Sequence, residues 1–550
     1  MIVKSNGILG AVLAGALILG ACDDDTTGPS LTPPAAVTVT ATSPTTATVT
    51  WSAVTNATGY VLQRADGAAG AFATIASPTA TTYDDTGLAA STQYRYRVAA
   101  TRAGDQTAFS NESTVTTPAP GPMVATIAAD ITADRTLFAD TTYTLQGFVK
   151  VQPPATLTIE AGTRIEGHFN TLGSSLFVLR GAKIRAMGTA DAPIVFTSSR
   201  PAGERQPGDW GGLIIVGNAR VNRGDPVILE GTENFASPVN YAGGNNDADN
   251  SGELHYVRVE FAGYATAQDA ELNSFTFAAV GSGTQLDHLQ SLAGLDDSFE
   301  WFGGTADARY LVSYESGDDH FDMSEGFSGR LQYLIAYQSK VLIPRTGAGN
   351  VSSDPQGIEN DGCNGANCTS GQLSQPYTNP LVANFTLIGT GPGVVDATSG
   401  GYGVVLRRGT AGIYVNGVVA RWPNAALSIR DTASTRARIT AGDLIVQNVL
   451  AADNAALFHA NQISIDATAN ALETMGTPAQ ALFNALPVAP TNVQQFDWSP
   501  APGSAARDGG MATFTGAIAA RAGTFVTATA YRGAADPAAT ARWWEGWTTY

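Results

Sequence analysis

Apolar and polar residues alternate with a period of two through most of the chain. In TATVTWSAV (46–54), YVLQRAD (60–66) and YRYRVAAT (94–101) every second side chain is apolar, as in strands with one face buried. From about residue 123 the apolar runs shorten and are punctuated by Gly, Asn and Asp, and no helical period interrupts them for hundreds of residues. The pattern predicts an all-β chain in two parts. A compact unit spans 34–118, bounded by LTPP and TPAPGP, and a much longer one spans 123–550.

The longer part repeats. LDHLQSLAG (286–294), ARYLVSYESG (308–317) and LQYLIAYQS (331–339) align at intervals of 22 or 23 residues and bring Leu289, Leu311 and Leu334 into one column. GVVLRRG (403–409) and ALSIRD (426–431) again lie 23 apart, and LVANFTLIG, IYVNGVVAR and DLIVQNVLA resemble one another. A repeat of this length built only of strands and turns is one coil of a parallel β-helix, in which each coil pairs its strand edges with the next.

The clearest repeat is GLDDSFEWFGG (294–304), answered by SGDDHFDMSEG (316–326). Stacked one strand spacing apart, about 4.8 Å, the coils set Phe299 and Trp301 over Phe321 and Met323 in the core. Alternation then turns Ser298 and Glu300 outward, above His320 and Asp322, and leaves Asp296, Asp297, Asp318 and Asp319 in the adjoining turn. Like charges at that distance repel by about 0.9 kcal/mol in water and about 3.5 kcal/mol at an effective dielectric of 20. Such a stack calls for a cation, a hydrogen-bond donor or a raised pKa. Three readings stay open. The stack holds calcium, it supplies acid and base to a glycan, or the turn aspartates cap backbone N–H groups while the outer ladder is hydrated.

A second calcium candidate is NNDADNSGEL (245–254), with Asp247, Asp249 and Ser251 at alternate positions, Gly252 at the bend and Glu253 next. Its twelfth position is Arg258, so Glu260 would have to substitute. Cys363 and Cys368 are expected to form a disulfide, within a long Gly/Asn/Ser-rich insertion that carries Glu359 and Asp361. Trp543, Trp544, Trp547 and Tyr550 either stack on sugar rings or plug the open end of the column. No P-loop, H-E-x-x-H, C-x-x-C or G-x-S-x-G occurs, and the five histidines do not cluster at ligand spacing.

Composition narrows the partners. The net charge is −18, and lysine occurs only at positions 4, 150, 183 and 340, so a nucleic acid or an anionic membrane surface would be repelled. Only 14% of residues are charged, while Gly numbers 60, the composition of a turn-rich β protein. At the N-terminus Lys4 precedes an apolar run, Ile8–Leu19, too short to span a bilayer comfortably.

Several stretches resemble known families. Leu19-Gly20-Ala21-Cys22 resembles the lipobox of bacterial lipoproteins, which implies a signal peptide over 1–22, a diacylated Cys22, and residues 23–33 as a tether. An acidic run such as Asp23–Asp25 after the lipid Cys resembles a surface-export signal of some bacteria, while in others an Asp there retains the protein at the inner membrane; the outer membrane is the expectation. Trp51, Tyr60, Leu62, Leu88, Tyr94, Tyr96 and Val98 resemble the framework of a fibronectin type III domain, with Trp51 as core tryptophan and Tyr94 at the tyrosine corner. ATLTIEAGTRIEG, GAKIRAMGTADAPIVFTS, GDWGGLIIVGNA, DADNSGELHYVRVEFAG, DDSFEWFGGTADARYLV and YRGA…WWEGWTTY resemble secreted bacterial right-handed β-helix lipoproteins, a group that implies fold and address but no reaction. The expectation is a lipid-anchored envelope protein whose β-helix binds extracellular glycan or another surface partner, and not primarily an enzyme. The alternatives are a polysaccharide lyase or glycoside hydrolase working through Asp296, Asp297, Glu300, Asp318, Asp319 or Asp322, and a structural adhesin or filament subunit. Few basic residues (Arg309, Arg330, Lys340) lie near the acidic columns, which disfavours a lyase.

Overall fold

The computed structural model describes residues 31–119, 123–267, 270–352, 355–363, 365–395 and 400–550. Cys22, the expected signal segment and most of the expected tether lie outside them. The chain divides into two compact units, 1–121 and 122–550.

The first unit is an antiparallel sandwich. Strands Val37–Ser43, Thr46–Trp51 and Thr82–Thr86 form one sheet, and the second is organised around Gly59–Asp66 and Gln93–Arg102. The inward residues of both close over Trp51, Tyr60, Leu62, Tyr94, Tyr96 and Val98. Trp51 meets Tyr60 edge-on at 5.4 Å. The Tyr94 hydroxyl accepts the Ala89 N–H at 2.8 Å, which is the corner that its position predicts.

The second unit is a parallel β-helix, as the repeat predicts. Among the described residues, 17 strands make one continuous parallel sheet and nine make the other. Leu289, Leu311 and Leu334 stand in register, followed by Phe385. In the nine-stranded sheet Phe302–Ser324, Trp301–Met323 and Glu300–Asp322 are level neighbours. Phe275, Phe299 and Phe321 stack at 4.9 and 5.4 Å, and Phe277 and Trp301 at 5.5 Å. These rings are fully buried. Each ring gains dispersion with the coil above and below while leaving water, which makes this ladder the spine of the core.

The long strands of the 17-stranded sheet turn a corner at a single residue. Tyr256, His288, Tyr310 and Tyr333, then Asn384, Asn416 and Asn448, occupy one column, all with φ between 49° and 65°. Bulky residues rarely adopt that left-handed conformation. Here the rings stack on one another at 4.2, 4.4 and 5.0 Å, which offsets the backbone strain.

Three expectations need correction. Ser298 and His320 do not face outward. Both are buried at the turn into the strand, where the Ser313 hydroxyl bonds Ser298 at 2.7 Å and His320 Nδ1 at 2.5 Å. Burial lowers the His320 pKa to about 3. The insertion is not all loop, because Gln356–Asp361 re-enters the nine-stranded sheet as the next coil. Finally, Trp543, Trp544 and Trp547 do not plug an end. They lie on the outer flank of the large sheet beside Tyr256, His288 and Tyr310. The last coils are instead closed by Ile463 and Leu472 with Leu457 and Phe458.

The C-terminal segment runs back along that flank. Arg532 pairs with Glu473, Thr529 bonds Asn384 and Asn416, Thr527 bonds Gln332, Thr549 bonds Gln290, and the Trp547 carbonyl accepts from Arg258. It thus ties late coils to early ones.

Phe299→Ala empties the middle of the aromatic ladder and is expected to cost about 3–5 kcal/mol. Urea unfolding of the full chain followed by tryptophan fluorescence checks this, and a loss below about 1 kcal/mol would contradict the ladder's role.

Candidate functional site

The outer face of the nine-stranded sheet forms the floor of a cleft of about 1240 Å³. Its outward positions repeat the floor chemistry coil by coil, because register places Glu300, Asp322 and Glu359 in one column. Three further segments contribute to the lining: Arg223, Glu230, Glu233 and Tyr241 from one, Ala265, Ala267 and Glu271 from the next, and residues 347, 349 and 350–352 from the last. Among the described residues twelve carboxylates line the cleft, against Arg223, Arg407 and Arg408.

Adjacent aspartates do different work. Asp297 and Asp319 belong to a ladder of side chains that cap the next coil's backbone. Asn273 Oδ1 accepts the Asp297 N–H at 3.2 Å, Asp297 Oδ1 the Asp319 N–H at 2.8 Å, and Asp319 Oδ1 the Gln356 N–H at 2.6 Å. This is turn capping, one of the three readings of the sequence. Asp296 and Asp318 line the cleft beside them, each only partly buried.

The cleft's electrostatics follow from crowding. Burial first, and neighbouring carboxylates second, push Asp296, Asp297, Glu300, Asp319 and Asp322 well above the usual carboxylate range. Glu230 is pushed up to about 8 by burial and by Glu271 and Glu233. At the other end the charge is balanced. Arg407 pairs with Glu359 and Asp361, Arg408 with Asp361, and Arg223 with Glu325. Asp361 and Glu359 hold Arg407 protonated although burial opposes its charge. Glu325 also accepts the Tyr241 hydroxyl.

Three overlapping groups have the donor set of a hard cation: Asp296/Asp297/Asp318, Asp297/Glu300/Asp322 and Asp319/Asp322/Glu359. Within each, one oxygen per residue lies within 4.8 Å of the others. Two oxygens at about 2.3–2.6 Å from one calcium ion are no farther apart than about 5 Å, so the spacing fits. The all-oxygen set suits calcium or magnesium better than zinc. Ser324 adds a buried hydroxyl that faces the cleft, with no hydrogen-bond partner among the described residues.

The six carboxylates singled out in the sequence therefore share one cleft. The second calcium candidate does not assemble. Asp247 is bound by Arg220, Asp249 accepts the Asn218 N–H at 3.0 Å, Glu253 pairs with Arg185, and Glu260 pairs with Arg258. Protein donors hold this loop. Sugar stacking on the C-terminal tryptophans is likewise not supported, since Trp544 and Trp547 are buried and the Trp543 indole donates to the Ala534 carbonyl. Cys363 and Cys368 are disulfide-bonded. Their loop packs on the cleft wall, where Arg223 donates to the Ala366 carbonyl at 2.9 Å. Glu230, Glu233, Glu271, Glu325, Arg223, Arg407 and Arg408 were not singled out in the sequence. Of these, only Glu325, in SGDDHFDMSEG, and Arg407 and Arg408, in GVVLRRG, sit inside a recognised repeat.

A β-helix with an acidic cleft on one sheet, preceded by a small sandwich, is the class that these observations define. The chain belongs to the family of pectate-lyase-like β-helix domains, whose model matches residues 129–485, and a fibronectin type III model matches 32–116. No curated protein matches the chain significantly. Similar solved structures include an Fn3-like protein from Clostridium thermocellum, 35% identical over 16% of this chain and 94% of that one, with a TM-score of 0.15. Titin kinase with its flanking domains is 23% identical over 16% of this chain and 17% of that one, with a TM-score of 0.15. A human FNIII domain is 24% identical over 18% and 90%, with a TM-score of 0.17. The chain thus spans less than a fifth of the titin structure.

Carboxyls protonated in the fold but ionised when unfolded stabilise below their unfolded pKa, and that stability is lost as pH rises toward the folded value. For Glu230 the window runs from its ordinary 4.5 to about 8. With EDTA present, the melting temperature of the β-helix is expected to fall between about pH 5 and about pH 8. Millimolar calcium should restore it at the upper end. A calorimetric trace unmoved by calcium at high pH would remove the cation from the cleft.

Proposed function

We propose that this is a lipid-anchored protein of the bacterial cell envelope whose acidic cleft binds an extracellular glycan with the help of divalent cations. The observation that carries the reading is the in-register carboxylate column, Glu300–Asp322–Glu359, flanked by Asp296 and Asp318. The cleft's volume exceeds what a single small ligand needs and suits an extended one. A bare acidic cleft repels an anionic chain; neutralised by cations it offers open coordination positions and hydrogen-bond acceptors to sugar hydroxyls or carboxylates. The family match supports a polysaccharide ligand at the level of class. The lipobox at Cys22 supports the anchor, and among the described residues no helix is long and apolar enough to cross a membrane.

Hydrolysis is the second reading, and one residue favours it. Glu230 faces the carboxylate column from another wall and, with its pKa near 8, stays protonated at neutral pH as a general acid must. Within each triad the oxygens are closer than the roughly 5–5.5 Å of a retaining pair, so the nucleophile or base would come from across the cleft.

A glycan array probed with the full chain in calcium and again in EDTA tests the first reading. Binding is expected only with calcium, and Glu300→Gln with Asp322→Asn should weaken it at least about tenfold, the scale of one lost charged contact. Reducing-end assays on pectin, alginate and xylan test the second: turnover abolished by Glu230→Gln in a folded variant would replace binding with catalysis. For the anchor, Cys22→Ser should abolish incorporation of labelled palmitate and release the protein from membranes.

A further inference from the structure

We infer that the β-helix carries a second ligand site, a cationic trough for the anionic groups of a polysaccharide, on the outer face of the 17-stranded sheet near its start. The trough has a volume of about 560 Å³ and opens over strands Arg135–Leu137, Thr156–Ile159 and Lys183–Met187. Thr136, Thr158 and Arg185 stand in one column, and Thr156 stands level with Lys183. Hydroxyls on the first coils are therefore followed by the cations Lys183 and Arg185 on the next, at the strand spacing of about 4.8 Å.

The cations are the unusual feature. In a chain with 30 basic and 48 acidic residues, most arginines are tied to carboxylates. Arg135 and Lys183 have no ion-pair partner among the described residues, and both line the trough. Arg185, more than half exposed, pairs with Glu253, its level neighbour on the next coil and part of the same lining. The trough's other carboxylate, Asp134, is occupied by the Thr156 N–H at 2.8 Å. Unpaired cations beside a row of hydroxyls suit a ligand that is hydroxylated and repeatedly anionic, such as a chain of carboxylated or sulfated sugars. The overall charge of −18 disfavours a nucleic-acid duplex. This site is independent of the acidic cleft and needs no metal.

Affinity electrophoresis of the full chain in gels containing polygalacturonate, dextran sulfate or plain dextran, with EDTA throughout, tests it. Retardation is expected from at least one polyanion and not from dextran. Polygalacturonate alone assigns a carboxylated ligand, and dextran sulfate alone a sulfated one. Arg135→Ala with Lys183→Ala should weaken retention about tenfold or more, as losing charged hydrogen bonds does, and so should high salt. Lys183→Arg, which keeps the charge, should retain it. Because Lys183 is exposed, melting temperatures of its variants are expected to match the wild type. No retardation by either polyanion, equal retardation of Ala variant and wild type, or stronger capture of duplex DNA would each overturn the site.

Discussion

Everything in the larger unit depends on coils hydrogen-bonded at one strand spacing. That spacing makes each residue's nearest cross-strand neighbour the residue one coil away, so a repeated letter becomes a vertical contact. Facing inward, this is favourable, and Phe275, Phe299 and Phe321 form a continuous stack. Facing outward, it places Glu300 over Asp322 over Glu359. The geometry that builds the core also concentrates negative charge, so the cleft and the core are two faces of the same repeat.

Position within the coil decides what each carboxylate does. Asp297 and Asp319 each spend one oxygen on the next coil's backbone N–H, like the amides Asn273 and Gln356 above and below them, and still line the cleft. One residue earlier, Asp296 and Asp318 line the cleft as well. The repeated Asp-Asp pair thus puts two carboxylates of each coil in the cleft, one of which also caps the next coil. Toward the later coils Arg407 and Arg408 neutralise Glu359 and Asp361, whereas among the described residues no arginine or lysine pairs with Glu230, Asp296 or Glu300. The cleft is therefore polar along its length, and a ligand would enter it with a preferred direction.

The fold was legible where coils have equal length. The 22-residue step from Phe299 to Phe321 exposes both the stack and the register. The step from Asp322 to Glu359 spans 37 residues because of the intervening loop, so the third carboxylate of the column looked like part of an insertion. Glu230 and Glu271 reach the cleft from segments outside the repeat, and no local pattern announces them. The repeat spacing sets His288 level with Tyr310 and Tyr333, but it does not reveal the corner there. Left-handed residues usually advertise themselves as Gly or Asn, yet here four of seven are aromatic or His, held by ring stacking. The calcium-like order at Asp247–Glu253 misled because ligand spacing says nothing about competing donors such as Arg220 and Arg185.

Ordinary solenoids lend each turn only to its neighbours, so they can be assembled piecemeal as the polypeptide emerges. The returning segment that joins Trp547 to Arg258 and Thr549 to Gln290 breaks that locality. Its residues follow by more than 250 positions the turns that they seal. Until that segment has folded back, the aromatic ridge at Tyr256, His288 and Tyr310 lacks its cover, so the column can wind to its end and still present an unfinished flank.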